Sequence, residues 1–161
     1  MRTLIVFASS KGTTEKCANL LAEKVTAPKE VVNLKKGSPA NPADYDTIII
    51  GGSIHAGKIQ RVIPKFIDRN RETLMKKRVG LFLCCLEEVE TEMEKEFAAS
   101  YPQDLRDHAF AKGFFGGEVV FSKLNPLVRI IMKKISKTDQ DIHKIREDAI
   151  DRFAVTINQS F

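Results

Sequence analysis

Ser9-Ser10-Lys11-Gly12-Thr13-Thr14 gathers four hydroxyls, a cation and a glycine within six residues. The stretch leaves an apolar run, Thr3–Ala8, and enters a segment with helical spacing. The first N–H groups of a helix lack an intrahelical acceptor, and the helix dipole places partial positive charge there. Backbone donors, hydroxyls and a glycine that permits a tight turn together make a cradle for a monophosphate. The same residue types would also serve a plain strand-to-helix turn with Ser/Thr caps.

Two other nucleotide motifs can be weighed. The dinucleotide pattern G-x-G-x-x-G is absent after the first strand. Gly52-Ser53-Ile54-His55-Ala56-Gly57-Lys58 comes close to a P-loop, but Ile59 stands where a magnesium-binding Ser or Thr belongs.

Three cysteines are present, at 17, 84 and 85. Neighbouring cysteines make a poor disulfide pair, so a reduced cytoplasm is the simpler expectation. No Cys/His spacing suggests zinc, and no metal is expected. The glutamates at 87, 88, 90, 92, 94 and 96 read as a solvated helix face.

The net charge is +5, and its placement is informative. Between Glu118 and Asp139 there is no acidic residue, and the cations there are Lys123, Arg129, Lys133, Lys134 and Lys137. Those five match the whole net charge, so the rest of the chain is balanced. On a helical wheel Leu124, Leu127, Val128, Ile131 and Ile135 share one side, with Arg129, Lys133 and Lys137 opposite and Lys134 at the flank. Such a segment, about 122–137, either packs its stripe on a sheet or meets anionic lipid, a quinone-bearing enzyme or a dicarboxylate. Nucleic acid is not an expected partner, because no recognition motif or aromatic interleaving accompanies the charge.

Apolar strands alternating with helical patterns must hold these residues in place. Strands are expected at Thr3–Ala8, Glu30–Leu34, Thr47–Gly52, Arg78–Cys85 and Ala109–Phe115. Helices are expected at Thr13–Val25, along Ile59–Ile67, at Glu88–Ser100, Pro126–Ile135 and Asp139–Ile157. Thr138-x-x-Asp141 resembles a capping box for the last helix. The loop Gly37-Ser38-Pro39-Ala40-Asn41-Pro42 separates strands two and three. The fold class is α/β: a three-layer sandwich with a five-stranded parallel sheet of order 2-1-3-4-5, in one domain over 1–161. Ligands of such sheets bind beyond the carboxyl ends of the strands, which singles out loops 9–14, 52–58 and 85–88. No run of about 18 apolar residues exists, and the N-terminal stretch is too short for a secretory signal.

Ser9–Thr14 resembles the flavodoxin phosphate signature, (T/S)-x-(T/x)-G-x-T, and Asp44–Ser53 resembles that family's third strand and flavin loop. Within the flavodoxin-like family the chain is most similar to the menaquinone-dependent protoporphyrinogen oxidases. That likeness rests on Gly51-Gly52-Ser53-Ile54-His55-Ala56-Gly57, on Pro64-Lys65-Phe66-Ile67 and on Leu127–Lys137. The resemblance implies FMN, with its phosphate on Ser9, Ser10, Lys11, Gly12, Thr13 and Thr14. Its ring would lie between Ser53, Ile54, His55, Ala56 and Gly57 on one side and Cys85, Leu86 and Glu87 on the other. His55 then either touches the ring edge and steers a proton or faces solvent. Flavodoxins usually flank the ring with Trp or Tyr. This chain has no Trp, and Tyr45 and Tyr101 lie off those loops. Stacking worth about 0.5–1.5 kcal/mol is therefore lost.

The resemblance implies an FMN-dependent oxidoreductase that passes electrons from a porphyrinogen, or another reduced small molecule, to a quinone or membrane-bound acceptor. The alternative is a flavodoxin-type electron carrier without its own substrate. Either would be cytoplasmic, with peripheral contact on the inner face of the cell membrane as a further expectation.

Overall fold

The computed structural model describes residues 1–39 and 41–159. In chain order the elements are β1 (Thr3–Phe7), α1 (Thr13–Lys24), β2 (Lys29–Asn33), a 3-10 turn (Pro42–Asp44), β3 (Thr47–His55), β4 (Lys58–Ile59) and α2 (Val62–Leu74). Then come β5 (Arg78–Cys84), α3 (Glu90–Ser100), α4 (Gln103–His108), β6 (Ala111–Phe114), β7 (Gly116–Val119) and a 3-10 turn (Phe121–Lys123). The chain ends in α5 (Pro126–Ser136), β8 (Ile142–Ile145) and α6 (Glu147–Asn158).

Every residue of β1 is buried, and so are Thr47–Gly52 of β3. Strand side chains alternate between faces, so a strand buried throughout must be covered on both. Leu4, Val6, Ile48 and Ile50 join Ile63, Phe66 and Ile67 of α2 and Phe97 of α3 in one core. Ile5, Phe7, Ile49 and Phe82 join Leu21 of α1 and Ile150 and Phe153 of α6 in the other. Phe82 stacks on Phe115 at 4.5 Å between ring centres, and Phe153 meets Phe115 edge-on at 5.3 Å. Each wholly buried Ile or Leu contributes roughly 1.5–3 kcal/mol.

The parallel strands run β2-β1-β3-β5-β6. This is the expected 2-1-3-4-5 order, displaced in numbering by the two-residue β4, which pairs antiparallel with β3. Ile5 is aligned with Val31 on one side and Ile49 on the other. The reversal between β1 and β3 puts their carboxyl ends at the switch point.

Two expectations need correction. The segment 139–157 is not one helix: Ile142–Ile145 is β8, antiparallel to β7, and α6 starts at Glu147. Thr138 and Asp141 form no capping box. Thr138 Oγ1 accepts from Gln140 N at 3.1 Å, and Asp141 Oδ1 accepts from Phe121 N at 2.9 Å. The antiparallel partner decides the conformation here, overriding local preference. Gly116 (φ +72) permits the pairing, since a Cβ there would lie 1.9 Å from Lys144 O. The α4 helix was not expected, and the proposed loop 37–42 includes Ala40, which lies outside the described residues.

Residues 116–145 thus form an excursion from the end of β6 to the start of α6. Arg146 N donates to Phe115 O at 2.9 Å and closes its neck. Among the described residues, no helix is long and apolar enough to cross a membrane.

Candidate functional site

Ser9 and Asn33 pin together the exits of β1 and β2. Ser9 N donates to Asn33 Oδ1 at 3.3 Å, and Asn33 Nδ2 donates to Ser9 O at 3.1 Å. The chain then turns through Gly12, in the left-handed region at φ +93, and Gly12 N donates to Ser9 Oγ at 3.0 Å. The first helical bond of α1 runs from Lys16 N to Gly12 O at 2.9 Å. Among the described residues, the N–H groups of Ser10, Lys11, Thr13, Thr14 and Glu15 have no acceptor. Five free amides on one turn at a helix N-terminus suit a phosphate. Lys35 reaches the same turn and donates through Nζ to Ser10 Oγ.

The four hydroxyls do not act alike. Ser9 is buried and spends its oxygen on Gly12. Thr14 is 1% exposed, its side chain buried at the start of α1. Ser10 and Thr13 remain at the surface of the turn.

The 53–57 segment is a hairpin. It pairs Ile54 with Ile59 and His55 with Lys58 around Ala56 (φ +50) and Gly57 (φ +74). Positive φ at both central residues is the two-residue turn that matches strand twist. Gln60 secures it. Its Nε2 donates to Ser53 Oγ at 2.7 Å and to Ala8 O at 3.1 Å, and its Oε1 accepts from Ser53 N at 3.0 Å. One side chain therefore clamps the ends of β1 and β3. Sequence reading missed it, and only its place just after Lys58-Ile59 could have drawn notice. Ser53 Oγ also lies 2.9 Å from His55 Nε2. His55 is exposed at the end of β3, and the desolvation its ring does have, then the cations Lys11 and Lys35, hold it below its ordinary pKa. His55 therefore sits in the field of the phosphate turn.

On the 85–88 side, Cys85 is buried, and its thiol is pushed up to about 12 by burial first and by the neighbouring Glu96 charge second. Cys84 is buried beside Cys17, and hydrogen bonding with the Cys17 thiol first, then burial, raises its pKa well above the ordinary value. Leu86 packs toward a small third core of Val119, Phe121 and Leu124. Glu87 Oε1 accepts from Glu88 N at 2.9 Å and Val89 N at 2.8 Å, so this carboxylate shapes its own turn. Tyr45 and Tyr101 are in the core, and no aromatic side chain stands on these loops.

The five cations expected to share one surface divide. Arg129 turns back, donating from Nε to Phe121 O at 3.1 Å and from Nη2 to Leu124 O at 3.3 Å. Lys133 pairs with Asp139 at 3.2 Å. Lys123 joins Lys11, Lys16, Glu118 and His143 around a cavity of about 260 Å³ beside the phosphate turn. Lys134 on α5 and Lys137 just past its end are exposed. Leu124, Val128 and Met132 seat that helix on the third core, while Leu127, Ile130, Ile131 and Ile135 face outward.

The chain is 30% identical over 115 residues to an uncharacterized protein of Methanocaldococcus jannaschii, a match covering 71% of this chain and 69% of that one. Among solved structures it resembles a short-chain flavodoxin associated with a bacterial microcompartment (TM-score 0.60, 14% identity, 98% of this chain and 96% of that chain). It also resembles a flavodoxin from the domain Archaea (TM-score 0.56, 14% identity, 98% and 96%). Oxidised flavodoxin 1 from Bacillus cereus is a third similar fold (TM-score 0.51, 18% identity, 85% and 95%). The family model for the flavodoxin domain matches residues 4–145, and the chain belongs to that family.

Proposed function

We propose that this protein is an FMN-dependent electron-transfer protein. FMN is the cofactor that family membership assigns to it. The observation that carries the reading is the row of acceptor-free amides at residues 10, 11 and 13–15, with Lys11 and Lys35 beside them. A phosphate dianion would there replace water as the acceptor of several N–H groups and neutralise adjacent cations. Bound FMN supplies the redox chemistry, accepting and releasing electrons or hydride. The chain's own part is to bind, hold and exclude. The Ser53–Gln60–Ala8 clamp keeps the hairpin against the end of β1, and without FMN His55 is held below its ordinary pKa beside it. With no flanking aromatic, Ile54, His55, Leu86 and backbone would hold the ring, and FMN would bind more weakly than with a stacked Trp or Tyr.

A net charge of +5 calls for a redox partner with an acidic docking face, since complementary fields steer association. The test is titration of apoprotein with FMN, followed by reductase-driven electron transfer through the loaded protein. Stoichiometric quenching of flavin fluorescence is expected. Protein that stays colourless with excess FMN rejects the proposal.

A second, finer reading is oxidation of a porphyrinogen with a quinone as acceptor. The sequence resemblance favours it, and the exposed Lys134 and Lys137 suit a substrate with two propionates. Turnover of protoporphyrinogen by flavin-loaded protein only when quinone is supplied would support it. Electron transfer without such turnover leaves the carrier.

A further inference from the structure

We infer that α5 is a docking helix for an anionic bilayer surface. Leu127 is 69% exposed, Ile130 56%, Ile131 47% and Ile135 69%, and no residue of this 11-residue helix is buried. Among the described residues, half of the large exposed apolar side chains stand on this one element. At helical spacing the four share an arc, and Lys134 falls within it, with Lys137 at its margin. The rest of the helix is already committed. Val128 and Met132 seat it, Arg129 holds two backbone carbonyls, and Asp139 neutralises Lys133. Asn125 caps its start by accepting from Val128 N at 2.8 Å, and Lys137, at φ +55, ends it. The helix is therefore formed and anchored before it meets anything, with one face left over.

The chemistry of that face selects the occupant. The centres of protein interfaces favour Tyr, Trp and Arg. Here the exposed residues are wholly aliphatic, and the one arginine points back into the protein. Aliphatic side chains with lysines inside and beside the stripe match the boundary of a bilayer, where lysine stems lie along the acyl region and ammonium groups reach anionic headgroups. No acidic residue on the helix opposes this field. The surface is also placed for redox work, because Lys123, which precedes the helix, lines the same cavity as Lys11 and Gly12 of the phosphate turn.

The chain has no tryptophan, so Ile131→Trp installs a single reporter on the exposed face. Its emission should move to shorter wavelength with vesicles of phosphatidylglycerol and phosphatidylcholine, with or without FMN, and the shift should vanish at high salt. Lys134→Gln with Lys137→Gln should weaken partitioning about 25-fold, taking about 5-fold for each lysine near an anionic surface. Leu127→Ser with Ile135→Ser should abolish it while leaving the thermal unfolding midpoint unchanged, since both side chains are exposed. No shift with anionic vesicles overturns the inference, and so does equal partitioning into pure phosphatidylcholine. A shift that depends on protein concentration and not on lipid would assign the face to a second copy and overturn it too.

Discussion

Lys16 Nζ lies 2.8 Å from Glu118 Oε1, an ion pair that ties the first turn of α1 to β7 of the excursion. His143 of β8 approaches the same oxygen at 3.1 Å. Burial pushes the Glu118 carboxyl up, but hydrogen bonds from Lys16 and His143 outweigh it and leave its pKa below the ordinary value. A depressed carboxylate pKa contributes stability that is complete above the unfolded-state value and is lost as pH falls through the folded one. Glu118→Gln should cost up to about 1 kcal/mol at neutral pH. The gap from the parent should close on acidification, followed by thermal unfolding from pH 7 to 3. A gap unchanged at acid pH counts against the pair.

Ser9 Oγ is the acceptor that holds the Gly12 amide, and with it the shape of the turn. Ser9→Ala should lower stability by about 1 kcal/mol and weaken FMN several-fold. Gly12→Ala should also weaken FMN, since left-handed backbone costs a residue with a Cβ about 1–2 kcal/mol, although open space surrounds the new methyl. Isothermal titration with FMN measures both, and full affinity in either variant would detach the turn from the phosphate.

His55 should titrate below about 6.5 in the apoprotein. A base depressed by folding binds its proton more readily when unfolded, so it reduces stability as pH falls below that ordinary value and has no effect above it. If the phosphate settles beside Lys11 and Lys35, its charge offsets theirs and the pKa rises on binding FMN. Proton NMR of the imidazole with and without FMN decides this. A shift downward on loading would place the phosphate elsewhere.

Cys85 should resist alkylation in the native state, its thiol being pushed up to about 12 by burial and the Glu96 charge. Mass spectrometry after iodoacetamide at pH 8 should find Cys17, Cys84 and Cys85 unmodified until denaturant is added. Rapid labelling of Cys85 in folded protein would mean that the 85–88 turn opens in solution.

Much of this fold could be read from the sequence because a buried parallel strand declares itself. Thr47–Gly52 and Arg78–Cys85 are continuous apolar or nearly apolar runs: the second became a strand one residue shorter than expected, and the first starts at Thr47 as expected but runs three residues further, to His55. The phosphate turn was legible for a similar reason, because Gly12 between hydroxyl residues marks a strand-to-helix junction. β8 was not legible. Ile142-His143-Lys144-Ile145 has helix-compatible spacing, and only its pairing with β7, 23 or more residues earlier, makes it extended. The Gln60 clamp was hidden as well, since it depends on how close Ala8 and Ser53 come in space. The wheel drawn over 123–137 grouped Leu124 and Val128 with Leu127 and Ile131, but the seat divides them. A stripe wider than one contact can have two sides, and periodicity alone does not say which is covered.

Arg146 N–H on Phe115 O means that the polypeptide departs from the sandwich and rejoins it at one point. Closing such a neck costs an entropy that grows only with the logarithm of the length enclosed. The appendage can therefore be lengthened, trimmed or exchanged between relatives without re-registering a single strand of the sheet. What such an appendage presents to its surroundings can then change while the five parallel strands keep their alignment.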